Sequence, residues 1–218
     1  MQQPLALLGG TFDPVHYGHL RAAWEAADAL GAEVVMLPAN VPPHRPPPDA
    51  DAHHRLAMLE LALRGQSRLR VDARELARSG PSYTYDTLRS YRAEIGASRP
   101  LVLLVGSDAF AGLPGWHRWR ELFDLAHVAV LARPGVDDEV PSVLGVEVGP
   151  RMTTESKSLA SAPAGRVTRI EVTQLEIAAT AVRDSLERGI APRFLVPDAV
   201  LEYIAAHGLY APEPATRA

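Results

Sequence analysis

Residues 5–20 read LALLGGTFDPVHYGHL. Four apolar residues, Leu5–Leu8, stop at Gly9-Gly10, and a helical pattern takes over within ten residues. A short apolar run closed by glycines reads as a buried strand. From His19 to Leu30, Leu20, Ala23, Trp24, Ala27 and Leu30 recur on one helical face, with Gly31 as the stop. The turn between them carries the chemistry. Paired glycines let the backbone approach a ligand closely, and a helix N-terminus offers free N–H groups and partial positive charge to a phosphate. His16 and His19 are three apart, so both imidazoles can face one side. Each can donate to a phosphate oxygen, and either can carry positive charge if an anion raises its pKa. The competing interpretation is a capped helix start with two incidental histidines. The spacing G-x-G-x-x-G is absent, no Lys-Ser/Thr follows, and His-x-x-His lacks an obvious third metal ligand.

The same alternation continues along the chain. Strands are expected at Glu33–Pro38, Leu69–Asp72, Leu101–Val105, His127–Ala132 and Arg166–Val172. Helices are expected at Arg55–Leu63, Thr84–Ile95, Trp119–Leu125, Thr180–Arg188 and Pro197–Ala206. Five prolines within Asn40–Asp51 force a loop. The stretch 136–165, rich in Ser, Thr, Pro and Gly, reads as an irregular surface excursion from one domain spanning residues 1–218. Nearly all-apolar strands alternating with helices predict an α/β fold. It is expected to be Rossmann-like, a doubly wound parallel sheet with helices on both faces and ligands at the carboxyl ends of its strands.

Composition narrows the chemistry. All but one of the 22 basic residues are arginine, the exception being Lys157, and 26 acidic residues bring the formal net charge to −4. That balance gives no support to a nucleic-acid partner. Cysteine is absent, which excludes disulfides, a thiol nucleophile and cysteine metal sites. A lone lysine argues against Schiff-base chemistry. No basic leader precedes the first strand, and no apolar window approaches the roughly 18 residues of a membrane span, so a cytoplasmic protein with no membrane partner is expected. A homo-oligomer is compatible with the sequence.

With those residues in view, the first loop resembles the G-x-F-x-P-x-H-x-G-H signature of the nucleotidyltransferase superfamily. Its longer form, GGTFDPVHYGHL, is similar to bacterial nicotinate-mononucleotide adenylyltransferases. Further stretches resemble that family. They are Pro38–Arg45 (PANVPPHR), Pro81–Leu88 (PSYTYDTL), Gly106-Ser107-Asp108 followed by Trp116, Ala132–Gly135 with Arg133, Ile177–Arg183 (IAATAVR), and the His-Gly-Leu-Tyr ending at Tyr210. Ala178 departs from the pattern, which has Ser there. For residues 136–165 no correspondence is found.

The resemblance implies transfer of the adenylyl group of ATP to nicotinate mononucleotide, giving deamido-NAD and pyrophosphate. The substrate's own phosphate is the nucleophile, and no covalent enzyme intermediate forms. It implies ATP contacts from Gly9, Gly10, Thr11, Phe12, His16, His19, Gly106, Asp108, Arg133, Thr180 and Arg183, with His16, His19 and Arg183 as the catalytic set. Nicotinate mononucleotide would meet Asn40, His44, Arg45, Tyr83, Thr84, Asp108 and Trp116, the indole stacking on the pyridine ring. Mg2+ is expected on the ATP phosphates rather than in a protein cage. His53, His54, His117, His127 and His207 match no motif. Open alternatives are the same chemistry on nicotinamide mononucleotide or phosphopantetheine, a nucleotide-binding regulatory module without catalysis, and a metal-dependent hydrolase.

Overall fold

The computed structural model describes residues 2–41, 46–135 and 141–211. Six strands form one parallel sheet: β1 (Leu5–Gly10), β2 (Glu33–Pro38), β3 (Leu69–Val71), β4 (Leu101–Gly106), β5 (His127–Ala132) and β6 (Val167–Glu171). Their spatial order is β3-β2-β1-β4-β5-β6, so the direction of winding reverses between β1 and β4.

The period of two along each strand sends alternate side chains to opposite faces, and each set finds its own helices. Ala6, Val34, Met36, Val102, Leu104 and Ala129 pack with α1 (Tyr17–Leu30), α2 (Ala52–Ala62) and α8 (Asp198–Ala206). Leu5, Leu7, Val35, Leu103, Val105 and Val128 pack beneath α3 (Thr84–Ile95), α4 (Ser107–Ala111), α5 (Leu122–Leu125) and α6 (Ser142–Val148). This is the doubly wound sheet that the apolar strands predicted. α7 (Ala179–Glu187) lies between β6 and α8 in the chain and buries Val182.

Two expectations need correction. Trp24 does not join the buried face of α1. It is 38% exposed with the Arg68 guanidinium 5.5 Å from its ring, and Ala26 is buried instead. Nor is the described part of the 136–165 stretch irregular. It forms α6 and two 3-10 segments, 149–151 and 156–161, which bury Leu144, Val148 and Leu159. Ser156 Oγ also donates to Ala29 O at 3.0 Å, fastening this stretch to α1. Residues 136–140 lie outside the described residues.

A crevice opens at the winding reversal. β1 stays paired with β2 through Gly10↔Pro38, and β4 with β5 through Gly106↔Leu131. The β1–β4 ladder ends two residues earlier, at Leu8↔Leu104. The two halves of the sheet therefore part at their carboxyl ends, where a ligand can enter.

Candidate active site

One wall of the crevice is the β1–α1 loop. Gly9 and, across from it, Gly106 are exposed, and a Cβ on either would meet nothing within 4 Å. Gly10 is required for another reason: a Cβ there would lie 2.9 Å from the Phe12 ring. Phe12 is buried with φ of 50°, a left-handed conformation unusual for a bulky residue, and its ring meets His19 edge-on at 5.1 Å.

His16 is the N-cap of α1, in extended backbone, and only 5% exposed. Its ring stacks on that of His19 with centroids 3.7 Å apart. Burial pushes the His16 imidazole down to about 4, so at neutral pH it is uncharged. The sequence allowed either histidine a positive charge. The stack restricts this, because two facing imidazolium rings would repel. His16 Nδ1 is buried with no hydrogen-bond partner among the described residues. His19 Nδ1 accepts the His16 backbone N–H at 3.4 Å, a long bond that favours the tautomer with its proton on Nε2.

The start of α7 meets the start of α1. A Cβ on Gly18 would come within 2.9 Å of His16 Nδ1, so glycine leaves room for that ring, and the 3.5 Å from the same point to Ile177 O shows how near the two segments lie. The first N–H groups of α7 thus lie beside the start of α1, where the Tyr17 N–H is already taken by Leu195 O at 3.0 Å. Ala178 caps α7 without a side-chain hydrogen bond, as its missing hydroxyl dictates, and Thr180 is exposed in the first turn. Arg183, one turn further, donates from Nη1 to Asp13 O at 2.8 Å, and its Nε contacts the Asp49 carboxylate.

On the opposite side, the acceptor-type loops are stitched together. The Asn40 backbone N–H donates to Ser82 Oγ at 3.0 Å, its Nδ2 to Arg78 O at 2.9 Å, and the Ser82 N–H to Val41 O at 2.9 Å. The N-cap of α3 is Tyr83, whose phenol makes no capping hydrogen bond. The Tyr83 N–H is taken by Pro81 O at 3.1 Å, while the Thr84 N–H, in the first turn, is open to an anion. Asp108 is exposed in the first turn of α4, and Trp116 is half-buried against the core. Arg133 is exposed just past β5. The structure gathers these positions at the carboxyl edge, while His44 and Arg45 lie outside the described residues.

Several residues here escaped the sequence. The Asp13 carboxylate accepts from Asp49 N at 2.7 Å, Ala50 N at 3.1 Å and Tyr210 Oη at 2.5 Å, joining three distant segments. Burial, with Asp13 alongside, drives the Tyr210 phenol far above its ordinary range, so it stays a donor. Glu75, buried, accepts from Thr87 Oγ1 at 2.6 Å, and burial raises its pKa. His117, set aside as motif-free, stacks on Tyr83 with centroids 4.6 Å apart. The buried Arg55 was missed too, although its place on an apolar helix face, with Met58 and Leu59, was a visible signal.

Comparison with known proteins agrees with this geometry. Residues 7–184 match the model of the cytidylyltransferase-like family. A probable nicotinate-nucleotide adenylyltransferase of Methylococcus capsulatus is 52% identical over 209 residues, covering 95% of this chain and 99% of the relative. One of Pseudomonas putida is 51% identical over 207 residues, 94% of each chain. Among solved structures, Plasmodium falciparum nicotinic acid mononucleotide adenylyltransferase complexed with NaAD superposes with a TM-score of 0.72. At 15% identity, covering 96% of this chain and 98% of that one, it is a likeness of fold. The chain belongs to the cytidylyltransferase-like family, in its nicotinate-nucleotide adenylyltransferase branch.

Proposed function

We propose that the chain joins ATP and nicotinate mononucleotide to form deamido-NAD and pyrophosphate. The observation that carries this reading is the crevice itself. It holds two converging helix starts, with His16, His19, Thr180 and Arg183, on one side and the uncapped start of α3 on the other. Half-identity over the whole length to curated nicotinate-nucleotide adenylyltransferases supports the choice of substrate.

A 5′-phosphate oxygen of nicotinate mononucleotide attacks the α-phosphorus of ATP. The bond from that phosphorus to the α–β bridging oxygen breaks, and its electron pair leaves on pyrophosphate. The nucleophile is already anionic, so no side chain need remove a proton. Catalysis is positioning plus stabilisation of the charge that builds on the transferring and leaving groups. His19 donates from Nε2 to the transferring phosphate, and His16 serves beside it. Thr180, Arg183 and the first N–H groups of α7 receive the departing end. Backbone groups of Gly9, Gly10, Thr11 and Phe12 line the nucleotide, with Gly106, Asp108 and Arg133 across from them. The Thr84 N–H and the hydroxyls of Tyr83 and Thr84 face the pyridine carboxylate, Trp116 stacks on the ring, and Asn40 holds the loop around it. No three His, Asp or Glu side chains converge on a metal position among the described residues; Mg2+ would be held by the ATP phosphates, where it would offset the charge of the leaving pyrophosphate.

Pyrophosphate release, measured with ATP, Mg2+ and a panel of acceptors, tests the reading. Nicotinate mononucleotide should give the highest kcat/KM. A higher value for nicotinamide mononucleotide or phosphopantetheine, or no release at all, refutes it.

A further inference from the structure

Arg55 sits in the first turns of α2 and is 1% exposed. Its hydrogen bonds go to backbone carbonyls of three site segments: Nη1 to Thr11 O and to Ala39 O, each at 2.8 Å, and Nε to Ala50 O at 3.1 Å. Carbonyl dipoles solvate a cation without cancelling its charge. The Asp13 carboxylate acts on Arg55 through its charge, while its hydrogen bonds go to two amides and a phenol. An arginine stays protonated even where burial lowers its pKa. The guanidinium therefore grips the loop at the end of β1 through its carbonyls, with the Asp13 carboxylate close enough to favour its charge.

The direction of the two peptide units matters as much as the charge. In a trans peptide the C=O and N–H point opposite ways. With the Thr11 carbonyl drawn to Arg55, the Phe12 N–H must point away from it, to the outer side of the loop. The Ala39 unit shows the same polarity, because its Asn40 N–H reaches outward to Ser82 Oγ. Without the guanidinium, either carbonyl could swing outward and present negative charge to a phosphate.

We propose that Arg55 is a positioning residue for the phosphate loop: it turns the Thr11 and Ala39 carbonyls inward, so that neither carbonyl oxygen faces the bound triphosphate. The inference rests on the adenylyl-transfer reading, but its test does not require the acceptor. A buried arginine that served only as a brace would leave anion affinity untouched once the protein was folded.

The full chain is compared with Arg55→Lys, which keeps the charge but loses the fork, and Arg55→Met, which loses both. Binding of inorganic tripolyphosphate is measured by calorimetry on protein shown by unfolding curves to be folded. Arg55→Lys should weaken it severalfold, and Arg55→Met by more than about tenfold, the scale of one charge-assisted contact. The ratio of kcat/KM for nicotinate over nicotinamide mononucleotide should stay within about twofold, because the pyridine ring is met elsewhere. Should Arg55→Met fail to fold, Arg55→Lys decides alone. Unchanged tripolyphosphate affinity in folded Arg55→Lys overturns the proposal, as does a loss of acceptor discrimination in step with affinity, which would mean general loosening. Failure of the wild type to bind tripolyphosphate overturns it too. A wild type that binds tripolyphosphate but releases no pyrophosphate with nicotinate mononucleotide sinks only the reading of function.

Discussion

His16 offers a quantitative test, because its burial links folding to pH. In the folded chain burial holds the imidazole at about 4, against 6.5 when it is exposed. The unfolded chain therefore binds a proton that the native protein refuses across this interval. The sign follows: native stability from this group is full above pH 6.5 and is lost as pH falls from 6.5 towards 4. Linkage puts the loss between about pH 7 and about pH 5 at roughly 2 kcal/mol, and at about 1.5 kcal/mol if the native value is a unit higher. His16→Gln keeps a polar side chain but does not titrate. The assay is urea unfolding of both proteins at the two pH values. Its readout is the change in unfolding free energy with pH, so any constant penalty of the substitution cancels. His127 is also buried, with Nε2 bonded to Ala162 O and Nδ1 accepting the Arg166 N–H, and its pKa is likewise lowered. It titrates alike in both proteins and drops out of the difference. Wild type should lose about 2 kcal/mol more than His16→Gln on acidification. Parallel losses would refute the claim that His16 is buried and neutral, and with it the view that the phosphate itself must supply the field for any charge on His16.

Two further substitutions probe the departing end of the site. Asp49 holds Arg183 with a carboxylate whose side chain is 59% exposed, so it competes with a phosphate for the same guanidinium. Asp49→Asn should lower KM for ATP about two- to fivefold with kcat little changed, the range expected of a partly exposed ion pair; an unchanged KM would remove Arg183 from the phosphate contacts. Ala178→Ser should restore a side-chain cap to α7 and raise stability by about 0.5–1 kcal/mol in urea unfolding. If the hydroxyl also reaches phosphate, KM for ATP falls in the same protein.

The sheet was legible because burial on both faces writes itself as uninterrupted apolar runs. β2 and β5 occupy the residues expected, and α3 keeps the bounds that its period and Pro81 imply. What failed was short or mixed. α4 has five residues, too few to show a period. In α6 the buried Leu144 and Val148 alternate with Val143, 48% exposed, and Val146, 80% exposed, so no apolar face stands out in the sequence. The site divides the same way. His16, His19 and the α7 start belong to local motifs and can be read from a dozen residues each. The Asp13 hub binds Asp49 and Tyr210, which lie 36 and 197 residues away, and no local pattern encodes that meeting.

The charge count concealed a related distinction. Some arginines are neutralised by acids, as Arg74 is by Asp72 and Glu94. Others spend their donors on backbone carbonyls. Arg92 reaches those of Leu125, Gly96, Arg99 and Pro163, and Arg55 those of Thr11, Ala39 and Ala50. A planar fork with five donors can bridge several carbonyls at once, whereas an ammonium group acts as a compact point charge. Bridging of this kind fixes the backbone without tying up a carboxylate in a direct ion pair. Arg92 does this far from the crevice, at the edge of the sheet where β4 begins. Arg55 does it among the loops that end β1 and β2, whereas Arg183 divides its donors there between Asp13 O and the Asp49 carboxylate. A chain with a formal net charge of −4 can therefore place a backbone-bridging arginine and one held by a half-exposed acid where two anionic nucleotides must meet, and a bulk count cannot report where they are.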